Sequence, residues 1–332
     1  MGRASPKFGG GGSRRVNVAG WLAVAVFRTV VLAVVVFLAA CTTAEEGQFI
    51  GIERVRVSAG AVALGPDAST GSFTSVCGRN EERHLNADNA VISPGVRFGA
   101  HHTHEYVGNL STDAFSTSES LAAAVSTCAG GDLSAYFWPV LRLTDVVGHD
   151  DHAEGGGVHG NTGEVLPPDS VAVVFGGSPT SAVVPMPRFL RMITGNPSAA
   201  TSDGLNANAK WGCTGFEGRT TMKYPRCPAG SKVVRTFDFP NCWDGRNADS
   251  ASHRDHVAFA SADGVCPKAT FPVPALRLVV TYDVPEGRPF AVDSFPDEHR
   301  DPITDHAMFV NAFPAALMAQ VAACLNEGRA CG

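Results

Sequence analysis

The nine cysteines constrain this chain more than any other feature. Eight fall between positions 77 and 331, and the ninth, Cys41, closes an apolar run at 29–40. Five basic residues (Arg3, Lys7, Arg14, Arg15, Arg28) and no acidic one precede that cysteine. A basic segment followed by a short apolar one is the layout of an export signal. The run is shorter than the roughly 20 residues that a bilayer-spanning helix needs. Leu38-Ala39-Ala40-Cys41 adds the small residues and the cysteine of a bacterial lipobox. Residues 1–40 therefore read as a lipoprotein signal peptide, Cys41 as the lipidation site and 41–67 as a tether. The expected location is extracytoplasmic, on the outer face of the cell membrane, with the lipid bilayer as a partner through Cys41 and the protein a monomer. In an oxidising compartment the eight other cysteines read as four disulfides. No two are separated by only two residues, which sets aside a zinc ribbon. Neighbours in the chain are the expected pairs: Cys77 with Cys128, Cys213 with Cys227, Cys242 with Cys266, and Cys324 with Cys331.

With 332 residues, 44% apolar and 17% charged, the chain can bury a core, and residues 68–332 are expected to form one domain. Removing residues 1–40 leaves 21 basic against 32 acidic side chains, a net of −11. Such a surface disfavours nucleic acid as a partner. Glycine (36) and proline (21) punctuate short β-branched runs at 49–52, 55–57, 89–92, 170–175 and 276–282. Helical patterns are confined to 117–125 and 314–325. The fold class is mainly β, a sandwich-like single domain with two or three short helices and about four disulfides. The glycine-rich segment 148–160, which carries His149, His152 and His159, is expected to be a mobile exposed loop.

Chemistry concentrates in three segments: His101-His102-Thr103-His104-Glu105, His253-Arg254-Asp255-His256 and Asp305-His306. On a strand, residues i and i+2 share a face, so His102 and His104 can converge while His101, Thr103 and Glu105 point elsewhere. His253 and His256 converge if their segment is a helical turn. Neutral imidazoles ligate zinc or copper, so His102, His104, His253, His256 and His306 are the metal-ligand candidates for a divalent transition metal. In a metal-free alternative, His102, His104 and His256 act as general acid and base, Arg191 and Asp244 hold an anionic or sugar substrate, and Tyr136, Trp138 and Asn311 bind it. No Gly-x-Ser-x-Gly, phosphate loop or dinucleotide fingerprint is present, which removes most support for serine hydrolases and for nucleotide or redox-cofactor enzymes.

Several further segments recur in a fixed order with the histidines: Tyr136-Phe137-Trp138-Pro139, Pro187-Arg188-Phe189-Leu190-Arg191, Phe239-Pro240-Asn241-Cys242-Trp243-Asp244-Gly245, Cys266-Pro267 and His306-Ala307-Met308-Phe309-Val310-Asn311. That order, over roughly residues 74–324, resembles the fungal and actinobacterial secreted proteins grouped as domain of unknown function 1996. The family pattern matches His102 and His104 and does not match His101. The resemblance implies a polysaccharide setting and names no reaction. Three expectations follow: a His-lined pocket that binds or acts on a cell-envelope or extracellular carbohydrate, with or without metal; a non-catalytic glycan-binding module with an aromatic face at Tyr136, Trp138 and Trp211; and a metal-buffering lipoprotein that also uses the 149–159 histidines.

Overall fold

Alternation along the strands sorts side chains onto two faces, and this sorting places the histidines. In the strand Ala135–Pro139, Tyr136 and Trp138 join the main core, whereas Ala135 and Phe137 join a second, smaller cluster on the opposite face. The strand His104–Gly108 repeats the pattern with Val107 on the core face and Tyr106 on the other. In His306–Val310, Ala307 and Phe309 face the main core while Met308 and Val310 face outward. A period of two is the geometry of a strand, so the parity of His104 and His306 puts both on the outer face.

We describe the protein from a computed structural model over residues 47–332 except 59 and 61, together with 1, 2, 4, 5 and 9. The apolar run at 29–40 and Cys41 lie outside the described residues, and so does the expected lipidation. Among the described residues no helix is long and apolar enough to cross a membrane. The body runs from Gln48 to Gly332. It begins inside the stretch expected to be tether: Phe49–Gly51 pairs in parallel with Tyr224–Arg226, and Ile52 is buried.

Two sheets dominate. One has five strands in the order Leu85–Asn86, His104–Gly108, Ala135–Pro139, His306–Val310, Arg191–Gly195, and all its pairings are antiparallel. The other has six, with Ala275–Tyr282 between Val233–Asp238 and Ser170–Gly176 at its centre. Both sheets contribute side chains to the main core. Contacts such as Trp138 with Phe237 (ring centroids 6.4 Å) and Phe175 with Phe309 (6.2 Å) join them into a sandwich. The helices Ser118–Ala123 and Ala315–Asn326 match the sequence reading, the first through a capping box between Thr117 and Ser120.

All four disulfides join the expected neighbours: Cys77–Cys128, Cys213–Cys227, Cys242–Cys266 and Cys324–Cys331. The expected strand at 89–92 is a turn instead. The Asn89 side-chain oxygen accepts from the amides of Val91 (3.0 Å) and Ile92 (2.9 Å), a local bond that competes with strand pairing. The segment at 148–160 is folded and anchored. Asp150 binds the buried Arg142 guanidinium with both oxygens (2.6 and 2.7 Å), and Arg142 also takes both oxygens of Asp293 (2.6 and 3.0 Å). Gly155 closes the fit at φ +83°, where an added Cβ would come within 2.6 Å of Ala87.

Candidate functional site: a buried histidine triad

The five-stranded sheet sets the spacing of the site. His104 lies opposite Pro139, and Phe137, two residues before that proline, lies opposite Met308, two residues after His306. Pro139 therefore stands in the row between the two histidines, and it has no N–H to continue the ladder. His102, two residues before His104, reaches the same face. The Nε2 atoms of His102 and His104 are 3.0 Å apart, and those of His102 and His306 are 3.3 Å apart. The ligand atoms of the three residues all lie within 4.8 Å of one another. The side chains are buried, at 1%, 0% and 1% exposure for His102, His104 and His306.

The outward nitrogens show which way the lone pairs point. His104 Nδ1 donates to the Asp88 carbonyl (2.9 Å) and His306 Nδ1 to the Thr304 carbonyl (2.8 Å). A carbonyl only accepts, so both protons sit on Nδ1 and both Nε2 lone pairs face the centre. His102 differs: among the described residues its Nδ1 has no hydrogen-bond partner, and the Ala100 backbone favours the protonated ring. Burial is the main cause that holds all three imidazoles neutral. It lowers His104 to about 4 and puts His102 and His306 well below the ordinary histidine value. For His104 and His306 the positive charge of Arg235 adds to the effect, and for His306 Arg254 does also.

Three neutral imidazoles with convergent Nε2 atoms match the donor set of a transition-metal site. Tetrahedral coordination at roughly 2.0–2.1 Å puts ligand nitrogens about 3.3–3.4 Å apart, close to the two separations measured from His102. Another group within ligating distance, Cys77, Cys128 and Asp132, offers no thiolate, because its cysteines are joined in a disulfide. Phe295 lies edge-on to His102 (ring centroids 5.3 Å) and also lines a cleft of about 430 Å³ with His159, Asn161, His299 and Arg300. Phe295 thus touches the triad at His102 and lines the cleft. Beside it His101, at φ +55°, turns away from its neighbours and places Nδ1 3.0 Å from His159 Nε2.

The other candidates from the sequence lie elsewhere. His256 donates from Nε2 to the Arg191 carbonyl (2.7 Å), and its Nδ1 meets Ser250 Oγ (3.0 Å), so neither nitrogen is free to ligate or to act as a base. Arg191 is four residues along the strand from Gly195, the partner of His306. That is about 13 Å at the rise of a strand, which keeps His256 out of the triad. His253 Nδ1 is held by Asp249 at 2.9 Å. Asp244 accepts from the amides of Arg246 (2.8 Å) and Asn247 (2.9 Å) in a tight turn. Arg191 donates from Nη1 to the Ala90 carbonyl.

The expected aromatic platform is not a surface. Tyr136, Trp138 and Trp211 are each 0% exposed. Their polar atoms are used internally: Tyr136 donates to Asp132 (2.7 Å), Trp138 to Glu105 (2.7 Å), and Trp211 to the Pro302 carbonyl (3.0 Å). Asn311 is also buried and holds the Pro187 carbonyl (2.9 Å). These side chains are buried, with their polar atoms engaged inside the fold.

Glu105 sits on the inter-sheet face behind the triad, where it accepts from Trp138 and from Tyr282. Arg235 donates to the Tyr282 hydroxyl (3.1 Å) and pairs with Asp305 (2.5 and 3.2 Å). Burial raises Glu105 to about 7. Sequence reading missed this network and the Asp88 and Thr304 carbonyls. Main-chain acceptors leave no side-chain signal, and the ion pair joins residues far apart in the chain.

No curated protein and no solved structure matches the chain. A family model described as a domain of unknown function, DUF1996, matches residues 89–312, a span that holds His102, His104 and His306. The match covers more than half of the sequence, and the chain belongs to the DUF1996 family.

Proposed function

We propose that this protein is an extracytoplasmic lipoprotein that carries one divalent transition metal on the Nε2 atoms of His102, His104 and His306. Through that centre it binds or acts on a cell-envelope or extracellular carbohydrate. The observation that carries the metal reading is the convergence of three neutral imidazoles, two of them with Nδ1 fixed by carbonyl acceptors. Three protein ligands leave a position for water or substrate, as catalytic zinc sites do, and zinc or copper suits the donor set. The carbohydrate setting rests on the family resemblance alone. Elemental analysis of the full chain, purified with its disulfides intact, beside a His102→Ala/His104→Ala double variant tests the metal. One equivalent in the wild type and none in the variant supports the reading, and less than about 0.1 equivalent in both rejects it.

A second reading is favoured by the unpartnered Nδ1 of His102. With its one proton on Nε2, His102 can share it between His104 (3.0 Å) and His306 (3.3 Å), which makes a metal-free hydrogen-bonded knot. Nitrogen-15 spectra of the imidazoles separate the two. The knot requires a protonated Nε2 on His102 that chelators leave unchanged, while the metal site requires protonation at Nδ1 on all three.

A further inference from the structure

A divalent ion held by three neutral imidazoles keeps its full charge, and a buried charge needs a counter-charge. The nearby carboxylates are engaged by other donors, which leaves none of them free to ligate the ion. Asp305 is paired with Arg235, Glu105 accepts from Trp138 and Tyr282 behind the sheet, and the Asp88 oxygens take the amides of Phe98 and Ala114 (3.1 Å for the latter). The charged side chains that act on the triad, Arg235 and Arg254, are both cations. Arg235 is neutralised by its partner. Arg254 is half-buried and, among the described residues, pairs with no carboxylate and makes one side-chain hydrogen bond, from Nη2 to the Gly195 carbonyl (2.7 Å). Gly195 is the strand partner of His306, so this guanidinium rests on the backbone beside the triad.

Building on the metal reading above, we propose that the open position at His102, His104 and His306 takes a carboxylate ligand and that Arg254 pairs with it. A guanidinium with unused donors offers a fork that matches a carboxylate. The ligand class is therefore a small organic acid or the uronate of an acidic polysaccharide, and neutral sugars are poor ligands.

The test uses the full chain loaded with Co(II), whose visible bands report the ligand shell. Acetate, glucuronate and glucose are titrated into the wild type, Arg254→Gln and Arg254→Lys. The expected result is a saturable band shift with acetate or glucuronate and none with glucose. Arg254→Gln weakens it at least tenfold, Arg254→Lys weakens it less, and cobalt stoichiometry is unchanged. Acetate alone marks a small-acid site, and glucuronate marks an acidic polysaccharide. One bound cobalt with no carboxylate response, an equal response to glucose, or an undiminished response in Arg254→Gln overturns the proposal and leaves the metal site standing. Absence of bound cobalt overturns the metal reading itself.

Discussion

Gly195 and His306 face each other across neighbouring strands so closely that a Cβ built on Gly195 would lie 3.0 Å from the His306 Cβ and 2.2 Å from the Asp305 oxygen. Gly195 also has φ +75°, a conformation that costs an L-residue roughly 1–2 kcal/mol. Gly195→Ala is expected to lose at least about 2 kcal/mol of stability and to weaken metal binding, because the strand that holds His306 must move. Urea denaturation and a metal titration measure the two effects. An alanine variant with wild-type stability and affinity would show that the close approach does not matter.

Arg142 is fully buried between Asp293 and Asp150. Asp293 accepts from Nε and Nη2 of the buried guanidinium and lies 3.7 Å from Arg300, so Asp293→Ala, which leaves buried charged donors unpaired, is expected to cost about 3 kcal/mol. Asp150→Ala, at a half-buried site, should cost about 1–2 kcal/mol and chiefly release the segment at 148–160. Limited proteolysis is the check. Cleavage in that segment should accelerate in Asp150→Ala, and unchanged cleavage would mean that other contacts hold it.

Much of the fold is legible in the sequence because it follows local rules. The apolar runs at 170–175 and 276–282 became the central strands of the six-stranded sheet, and neighbouring cysteines paired. His102 and His104 were legible through strand parity, and His306 through its position in a His-containing segment. His256 misled because residue type does not reveal hydrogen bonding, and both of its nitrogens are occupied. The aromatic residues misled for a related reason: Trp138 serves a carboxylate, Glu105, that only the sheet pairing brings beneath it. The anchor of the segment at 148–160 was hidden because the Arg142 guanidinium that Asp150 binds is itself held by Asp293, 151 residues away.

Trp138→Phe separates a core role from a glycan-binding one. It keeps a ring but removes the donor to Glu105 and Tyr282, so a loss of about 1–3 kcal/mol in stability is expected. Polysaccharide pull-down by the folded variant should match the wild type. Selective loss of binding at unchanged stability would restore the aromatic-face reading.

Asp238, which is not one of the triad residues, supplies a pH signature. Burial works against its ionised form, but Arg277 and Lys210 outweigh it and hold the carboxyl below its ordinary value. A depressed folded pKa gives stability that is present above the unfolded value of about 3.9 and lost as pH falls through the folded value. Asp238→Asn should therefore be less stable than the wild type at pH 7, by about 1 kcal/mol for a partly exposed pair. The difference should shrink as pH falls below the unfolded value and through the folded one. Melting curves across that range check it, and a difference that does not depend on pH would assign the effect to packing.

X-ray absorption on the zinc- or copper-loaded full chain reads whether three imidazoles meet at one ion. Three imidazole nitrogens at roughly 2.0–2.1 Å are expected in the wild type, with a loss of imidazole scattering in His306→Ala. A shell made mainly of water or carboxylate oxygen, or a spectrum indifferent to His306, would contradict that coordination.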